Sequence, residues 1–173
     1  MSYSNIEPTE VRVEEIVNIY DLRDFDCEDG DLNEFLKRDS FEYKKQLIAK
    51  TFIVMYNENV VGFFSVMNDS IKLKLSETED IKNLTRLHEY PAVKIGRLGV
   101  DKRFKGKGIG RIIILFVVGL TRRINEISAC RFVTVDSYPE STLFYEKHGF
   151  IKNLMYEKKR DFISMRLDVI DLV

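Results

Sequence analysis

The period of the hydrophobic positions changes several times along the chain, and each change marks an element. Val11, Val13 and Val17 alternate with polar residues and predict a first strand. Leu32, Phe35 and Leu36 share one helical face after Asp29 and Asp31, either of which suits an N-cap. Glu34 stands three residues beyond Asp31, as in a capping box, and the pattern carries this helix towards Leu47. Residues 51–56 and 60–67 are β-branched and aromatic runs around Asn57-Glu58-Asn59, which predicts an antiparallel hairpin. Residues 70–90 are mixed and charged and read as a short helix with loops. Residues 92–100 give a further strand.

A long helix is expected over 108–125. Ile109, Ile112, Ile113, Ile114, Leu115, Phe116, Val117, Val118 and Leu120 leave it little polar surface, so burial on most sides is predicted. Residues 131–136 read as a strand. Pro139 suits the opening of a short helix over 140–147, Gly149 its end, and 162–167 alternate as a last strand. The order implies an α/β fold with a mixed sheet. The strands flanking the long helix should be parallel and joined by a right-handed crossover. No linker, repeat or low-complexity stretch interrupts the pattern, so one domain over 1–173 is expected.

Composition narrows the class. The chain has 173 residues, 45% hydrophobic and 32% charged, which excludes a disordered chain. The longest apolar run, 112–120, is far short of the roughly 20 residues a membrane span needs. No secretory signal opens the chain. Cys27 and Cys130 form no C-x-x-C pair and no disulfide framework, and they read as packing residues of a reduced, cytoplasmic protein. No spacing of metal ligands stands out.

The formal net charge of −1 hides a division. Residues 1–40 hold 4 basic and 12 acidic residues, a net of −8, whereas 41–173 hold 23 basic and 16 acidic, a net of +7. The basic excess peaks at 97–111, where six basic residues accompany one acid. That segment, Arg97-Leu98-Gly99-Val100-Asp101-Lys102-Arg103-Phe104-Lys105-Gly106-Lys107-Gly108-Ile109-Gly110-Arg111, joins a strand to a helix N-terminus. Unpaired amides, the positive end of a helix dipole and glycines that admit close approach favour a phosphate ligand there. The segment is neither G-x-x-x-x-G-K followed by Ser or Thr nor G-x-G-x-x-G, so nucleotide hydrolysis and dinucleotide binding lose ground.

The segment resembles the signature of the GNAT superfamily of acetyl-CoA-dependent N-acetyltransferases. Arg103-Phe104-Lys105-Gly106-Lys107-Gly108 matches its pattern of Gln or Arg, two residues, Gly, one residue, then Gly or Ala. Leu143-Phe144-Tyr145-Glu146-Lys147-His148-Gly149-Phe150 is similar to the family's second hallmark. The resemblance implies a mixed, mostly antiparallel central sheet flanked by helices, with a parallel strand pair splayed at the cofactor cleft. It implies that the amides of Arg103, Phe104, Lys105, Gly106, Lys107 and Gly108, followed by Ile109 and Gly110, cradle the pyrophosphate of acetyl-CoA. The backbone of Leu98, Gly99 and Val100 would pair with the pantetheine arm, and Lys102, Lys105, Lys107 and Arg111 are candidates for the ribose phosphate. The implied reaction is direct attack of a primary amine on the thioester, with Tyr145 as the general acid that protonates the leaving thiolate. His88, Glu89 and Glu140 are candidates for a base, and His148 reads as structural.

Phe25-Asp26-Cys27-Glu28-Asp29-Gly30-Asp31-Leu32-Asn33-Glu34-Phe35-Leu36 and Val61-Gly62-Phe63-Phe64-Ser65 are similar to a GNAT subgroup of toxins that acetylate the amino acid on charged tRNA. On that resemblance the partners are aminoacyl-tRNA and an antitoxin, with a homodimer as one open assembly. Arg122, Arg123, Lys158, Lys159 and Arg160 are the candidate tRNA patch. An ordinary GNAT enzyme acting on a small or protein amine is the leading expectation. A non-catalytic CoA-binding or interaction module is the alternative from another class. The acidic first 40 residues fall where the family places acceptor-side elements, which disfavours a large polyanionic acceptor.

Overall fold

The computed structural model describes residues 5–17, 21–78, 89–156, 161–170 and 172. Seven strands form one sheet in the order β1-β2-β3-β4-β5-β7-β6. They are β1 (Arg12–Glu15), β2 (Lys50–Tyr56), β3 (Asn59–Lys72), β4 (Glu89–Val100), β5 (Phe132–Ser137), β6 (Ile151–Lys152) and β7 (Ile163–Asp168). The sheet is mostly antiparallel, with β4 and β5 as the parallel pair. Among the described residues four α-helical segments accompany it: α1 (Gly30–Glu34), α2 (Ser40–Lys45), α3 (Ile109–Asn125) and α4 (Thr142–Glu146). No helix among the described residues is long and apolar enough to cross a membrane.

The chain divides into two compact units, one of Met1–Met67 with Ile95–Phe116, the other of Asn68–Lys94 with Val117–Val173. In the first, β1, β2 and the start of β3 run antiparallel, with Val13 opposite Val54 and Thr51 opposite Ser65. Asn57 (φ 45°) and Glu58 (φ 59°) make a two-residue hairpin turn, both with positive φ, the geometry whose twist matches the flanking strands. One core cluster packs Ile16, Phe25, Phe35, Leu36, Ile53 and Phe63. Phe52, Phe64 and Phe116 form an aromatic cluster with centroids 5.3–5.7 Å apart, which seats the first half of α3 on the hairpin. A Cβ on Gly62 would stand 2.9 Å from Ile109 Cγ2, so the missing side chain is what allows this approach.

In the second unit, β5 and β7 pair antiparallel from Phe132–Asp168 to Ser137–Ile163. Ile71, Tyr90, Ala92 and Phe132 form its buried cluster. A sealed ion pair, Arg166 Nη1 to Glu77 Oε1 at 2.7 Å, is completed by Asn153 Oδ1 at 2.8 Å and by the Leu154 amide on Glu77.

Several boundaries differ from the sequence pattern. Asp29, not Asp31, caps α1, its Oδ1 accepting from the Leu32 amide at 3.0 Å. Glu34 makes no capping box and pairs with Arg38 instead. The helix continues towards residue 45 through a π-helical stretch, Phe35–Asp39. Ile16 rather than Val17 enters the core beyond β1, and Val17 is 39% exposed. The hairpin's second strand runs on to Lys72: Asn68, Ser70 and Lys72 are exposed while Asp69 is half-buried and Ile71 buried, an alternation within the stretch expected to be helix and loops. Residues 79–88, part of that expected helix and loops, lie outside the described residues. The two-residue β6 was not legible. Burial of α3 is one-sided at Leu115, which stays 48% exposed.

Candidate active site

The basic, glycine-rich segment lies in the first unit. β4 ends at Val100, the Asp101 amide donates to Val61 O at 3.0 Å, and a 3-10 turn follows at Lys102–Phe104. Asp101 organises this turn. Its side chain is 1% exposed and accepts from the Arg103 amide (2.9 Å), Arg103 Nε (2.8 Å), Arg103 Nη2 (2.9 Å) and the Asp26 amide (3.3 Å). Burial opposes its charge, but these hydrogen bonds win and hold the carboxyl below its ordinary range. Gly106 (φ 75°) and Gly108 (φ 86°) then turn the chain into α3 through the left-handed region that glycine tolerates.

Among the described residues the amides of Lys105, Gly106, Gly108, Ile109, Gly110 and Arg111 donate to no protein group. A run of unsatisfied N–H groups around two left-handed glycines, at the start of a 17-residue helix, is a built anion cradle and fits a diphosphate. Arg103 belongs to the turn's own scaffold through Asp101. Lys107 Nζ sits 4.8 Å from the Phe104 ring centroid. The Ile6 amide donates to Lys107 O at 3.0 Å, which lays the N-terminal segment beside the turn.

The acidic segment of the first 40 residues meets this turn at two points. Lys102 Nζ lies 2.8 Å from Asp26 Oδ2, and Lys105 Nζ lies 2.7 Å from Glu28 Oε2. The Lys102 hydrogen bond, with the Glu28 amide and Asn33 behind it, keeps the Asp26 carboxyl far below its usual range. Two acids therefore answer two lysines of the turn. Lys102 and Lys105 are committed to these pairs, whereas Arg111 is exposed and makes no ion pair among the described residues. Gly99 serves packing: a Cβ there would come within 2.6 Å of Phe63 Cε1 and 3.3 Å of Cys27 Sγ. Leu98 and Val100 flank it half-buried. Burial pushes the Cys27 thiol up, so it is a packing group and not a nucleophile.

In the second unit, a 3-10 turn at Pro139–Ser141 leads into α4, and Gly149 (φ 86°) closes the hallmark segment. Tyr145 is 6% exposed, packed edge-on against Phe144 (5.0 Å) and Phe150 (5.3 Å). Its hydroxyl makes no hydrogen bond among the described residues, yet it is not among the sealed, unpartnered polar atoms, which are Thr51 Oγ1, Ser65 Oγ, Tyr90 Oη and Arg131 Nε. Burial pushes its pKa well above that of an ordinary phenol, so the group stays protonated at neutral pH. Its backbone carbonyl accepts from the His148 and Phe150 amides, which ties down the main chain at the end of α4. His148 Nδ1 donates to Phe144 O at 2.7 Å, a structural contact. Of the base candidates, Glu89 pairs with Lys72 at 3.1 Å, Glu140 lies exposed in the 3-10 turn, and His88 lies outside the described residues.

One pair in this unit went unread in the sequence. Lys94 Nζ and Asp136 Oδ2 are 2.6 Å apart, and each side chain is 24% exposed. The signal was a lysine and an aspartate at positions on two inner strands where apolar residues are the rule. Among the described residues no three His, Cys, Asp or Glu side chains are grouped to hold a metal.

A profile described as an acetyltransferase (GNAT) domain matches residues 23–169. The chain belongs to the GNAT acetyltransferase family. It is accordingly an acyltransferase that uses acetyl-CoA as the acetyl donor. Solved structures agree in fold. AtaT in complex with acetyl-methionyl-tRNAfMet matches over 94% of this chain and 96% of that one, with a TM-score of 0.80 and 19% identity. A tyrosine-to-phenylalanine variant of KacT matches over 91% and 95%, at 0.77 and 21%. AtaTR bound with acetyl-CoA matches over 95% and 96%, at 0.77 and 18%. At these identities the likeness establishes the GNAT fold over nearly the whole chain.

Proposed function

We propose that this GNAT protein transfers acetyl from acetyl-CoA to the α-amino group of the amino acid on charged tRNA, as a cytoplasmic toxin held in check by an antitoxin. The observation that carries this reading is the near-complete, two-way coverage of the AtaT and KacT structures, one of which holds an acetylated aminoacyl-tRNA. A tyrosine-to-phenylalanine variant of the toxin AtaT has a solved structure bound to the C-terminus of the antitoxin AtaR. Asp26 and Glu28 are paired with Lys102 and Lys105, which offsets part of the acidic excess of the first 40 residues. Arg122 and Arg123, exposed in the last turn of α3, remain candidates for tRNA phosphates. Lys158, Lys159 and Arg160 lie outside the described residues.

On this reading the two compact units form one N-acetyltransferase domain over residues 1–173. The amides of residues 105–111 hold the diphosphate, and the backbone of Leu98, Gly99 and Val100 holds the pantetheine arm. Tyr145 is the general acid: its accessible hydroxyl, kept protonated by burial, hands its proton to the thiolate as the C–S bond breaks. The neutral α-amine forms the C–N bond and releases a proton to solvent. Labelled acetyl-CoA should label the charged tRNA pool, and expression should arrest growth. Tyr145→Phe should lose about 100-fold or more in turnover, with the melting temperature and coenzyme A affinity retained. Labelling of small or protein amines with charged tRNA untouched would assign the ordinary GNAT role instead.

A further inference from the structure

We infer that Arg97 anchors the phosphodiester next to the acceptor's amino acid, on the face of the first unit opposite α3. This inference rests on the reading of the acceptor as charged tRNA. It starts from the alternation of side chains between the two faces of a strand. On β3, Gly62 and Phe64 face α3: a Cβ on Gly62 would meet Ile109 and Ile113, and the Phe64 ring lies 5.6 Å from that of Phe116. Phe63 points the other way, towards Phe25 and Phe35. Arg97 and Gly99 of β4 belong to this second face. A Cβ on Gly99 would strike Phe63, and the guanidinium carbon of Arg97 lies 5.2 Å from the centroid of the Phe35 ring.

The face around Arg97 is aromatic and aliphatic, and β4 is an inner strand of the sheet, yet Arg97 is exposed. The other arginines of the unit supply the contrast. Arg12 pairs with Glu14, Arg23 with Asp21, Arg38 with Glu34 and Arg103 with Asp101. Arg97 meets no carboxylate among the described residues, and its one hydrogen bond there runs from Nη1 to its own neighbour's carbonyl, Gly96 O, at 2.9 Å. A guanidinium carries five N–H donors in a planar fork. Phe35, itself 3% exposed and stacked on Phe63, seats one side of this fork. The donors left over have no protein acceptor among the described residues. A fork held in place on a ring, with donors to spare, suits a phosphate bound through two parallel hydrogen bonds.

The phosphates of acetyl-CoA are assigned to the amides of residues 105–111, beyond the end of β4. Arg97 stands on the other side of Leu98, Gly99 and Val100, the backbone proposed for the pantetheine arm. The strand from Arg97 to Val100 alone spans about 10 Å, so its charge serves a different anion. The acceptor supplies one. In charged tRNA the α-amine is joined through an ester and one ribose to the terminal phosphodiester, which carries a single negative charge. A small amine or a protein amine has no such group at a fixed distance. Arg97 binds and orients the acceptor, and no bond is made or broken at it.

The test uses the full chain with three probes: puromycin, an aminoacyl nucleoside with a free α-amine, its 5′-methyl phosphodiester, and the charged tRNA pool. Wild type should bind the phosphodiester about 10- to 100-fold more tightly than puromycin, a preference that falls as salt rises. Arg97→Met keeps an unbranched stem over Phe35 and removes the charge. It should erase the preference and raise the KM for charged tRNA by a similar factor, with the melting temperature and coenzyme A affinity near wild type. Arg97→Lys returns the charge without the fork and should recover part of the preference. The inference is overturned if wild type binds the two nucleosides equally or binds neither, or if Arg97→Met keeps the preference. It is overturned equally if Arg97→Met weakens both nucleosides alike, as a residue that only covers Phe35 would. Wild type that prefers the phosphodiester through Arg97 but acetylates no charged tRNA refutes the toxin reading alone and leaves the phosphate anchor standing.

Discussion

Asp101→Ala tests how the phosphate cradle is built. The carboxylate is 1% exposed and accepts three hydrogen bonds from Arg103 and one from the Asp26 amide. Its removal deletes the cap of the 3-10 turn, worth about 1 kcal/mol. It also leaves the part-buried Asp26 amide without its acceptor, which costs about 1–3 kcal/mol. The Arg103 guanidinium is about half exposed and can return to water at little cost. The sum is about 2–4 kcal/mol, which for a chain of this size lowers the melting temperature by about 5–15 °C. Asp101→Asn keeps one acceptor oxygen for the Arg103 amide and should lose about half as much. Thermal unfolding by circular dichroism gives the shift, and titration with coenzyme A gives the consequence for the cradle, since the turn carries the amides of residues 105–111. A variant that melts within 2 °C of wild type and binds coenzyme A unchanged would refute the role assigned to Asp101.

Further predictions follow from neighbouring details. Asp26 and Asp101 both have carboxyls held low in the folded state, so their contribution is complete above about pH 4 and is lost only as the pH falls through the folded values; a melting series should show the turn indifferent between pH 5 and 8. Tyr145 has the opposite sign. Its raised pKa stabilises the fold below about pH 10 and is lost as the pH climbs through the folded value. Tyr145 should therefore fail to give the tyrosinate absorbance at about pH 10–11 until the protein unfolds, read as the difference from Tyr145→Phe, and turnover should show no alkaline loss from this acid in the neutral range. Glu58→Gly relieves a left-handed φ of 59° at an exposed hairpin position and should stabilise by about 0.5–1 kcal/mol despite losing a weak contact with Arg12, as read by denaturant midpoint. Gly99→Ala drives a Cβ to 2.6 Å from a ring atom of buried Phe63 and should destabilise by about 1–3 kcal/mol.

Much of the fold could be read from local order. The hairpin, the strand-turn-helix around residues 97–111 and the short helix before Gly149 each combine a periodic pattern with turn chemistry that has one good backbone solution. The cradle glycines were legible for the same reason, since φ values of 75° and 86° are open to few other residues. The hallmark around Tyr145 singled that residue out, and the structure adds its burial. What the pattern could not give was any pairing between distant segments. Asp26 and Glu28 entered only the net charge of the first 40 residues, but they meet Lys102 and Lys105, residues 76 and 77 positions away. Lys94 and Asp136 are 42 positions apart, and each looked like an isolated polar residue in an apolar strand.

The sequence alone determined the order of elements, the basic glycine-rich turn and its resemblance to the GNAT acetyltransferases. These depend on backbone dihedrals and on hydrophobic period, which are properties of neighbouring residues. Only the tertiary structure decided which charges the turn keeps for a ligand and which it spends on the protein. It also separated the sealed ion pair from the open one. A charge's effect depends on the distance to its partner and on its access to water, and both are set by how segments far apart in the chain pack together.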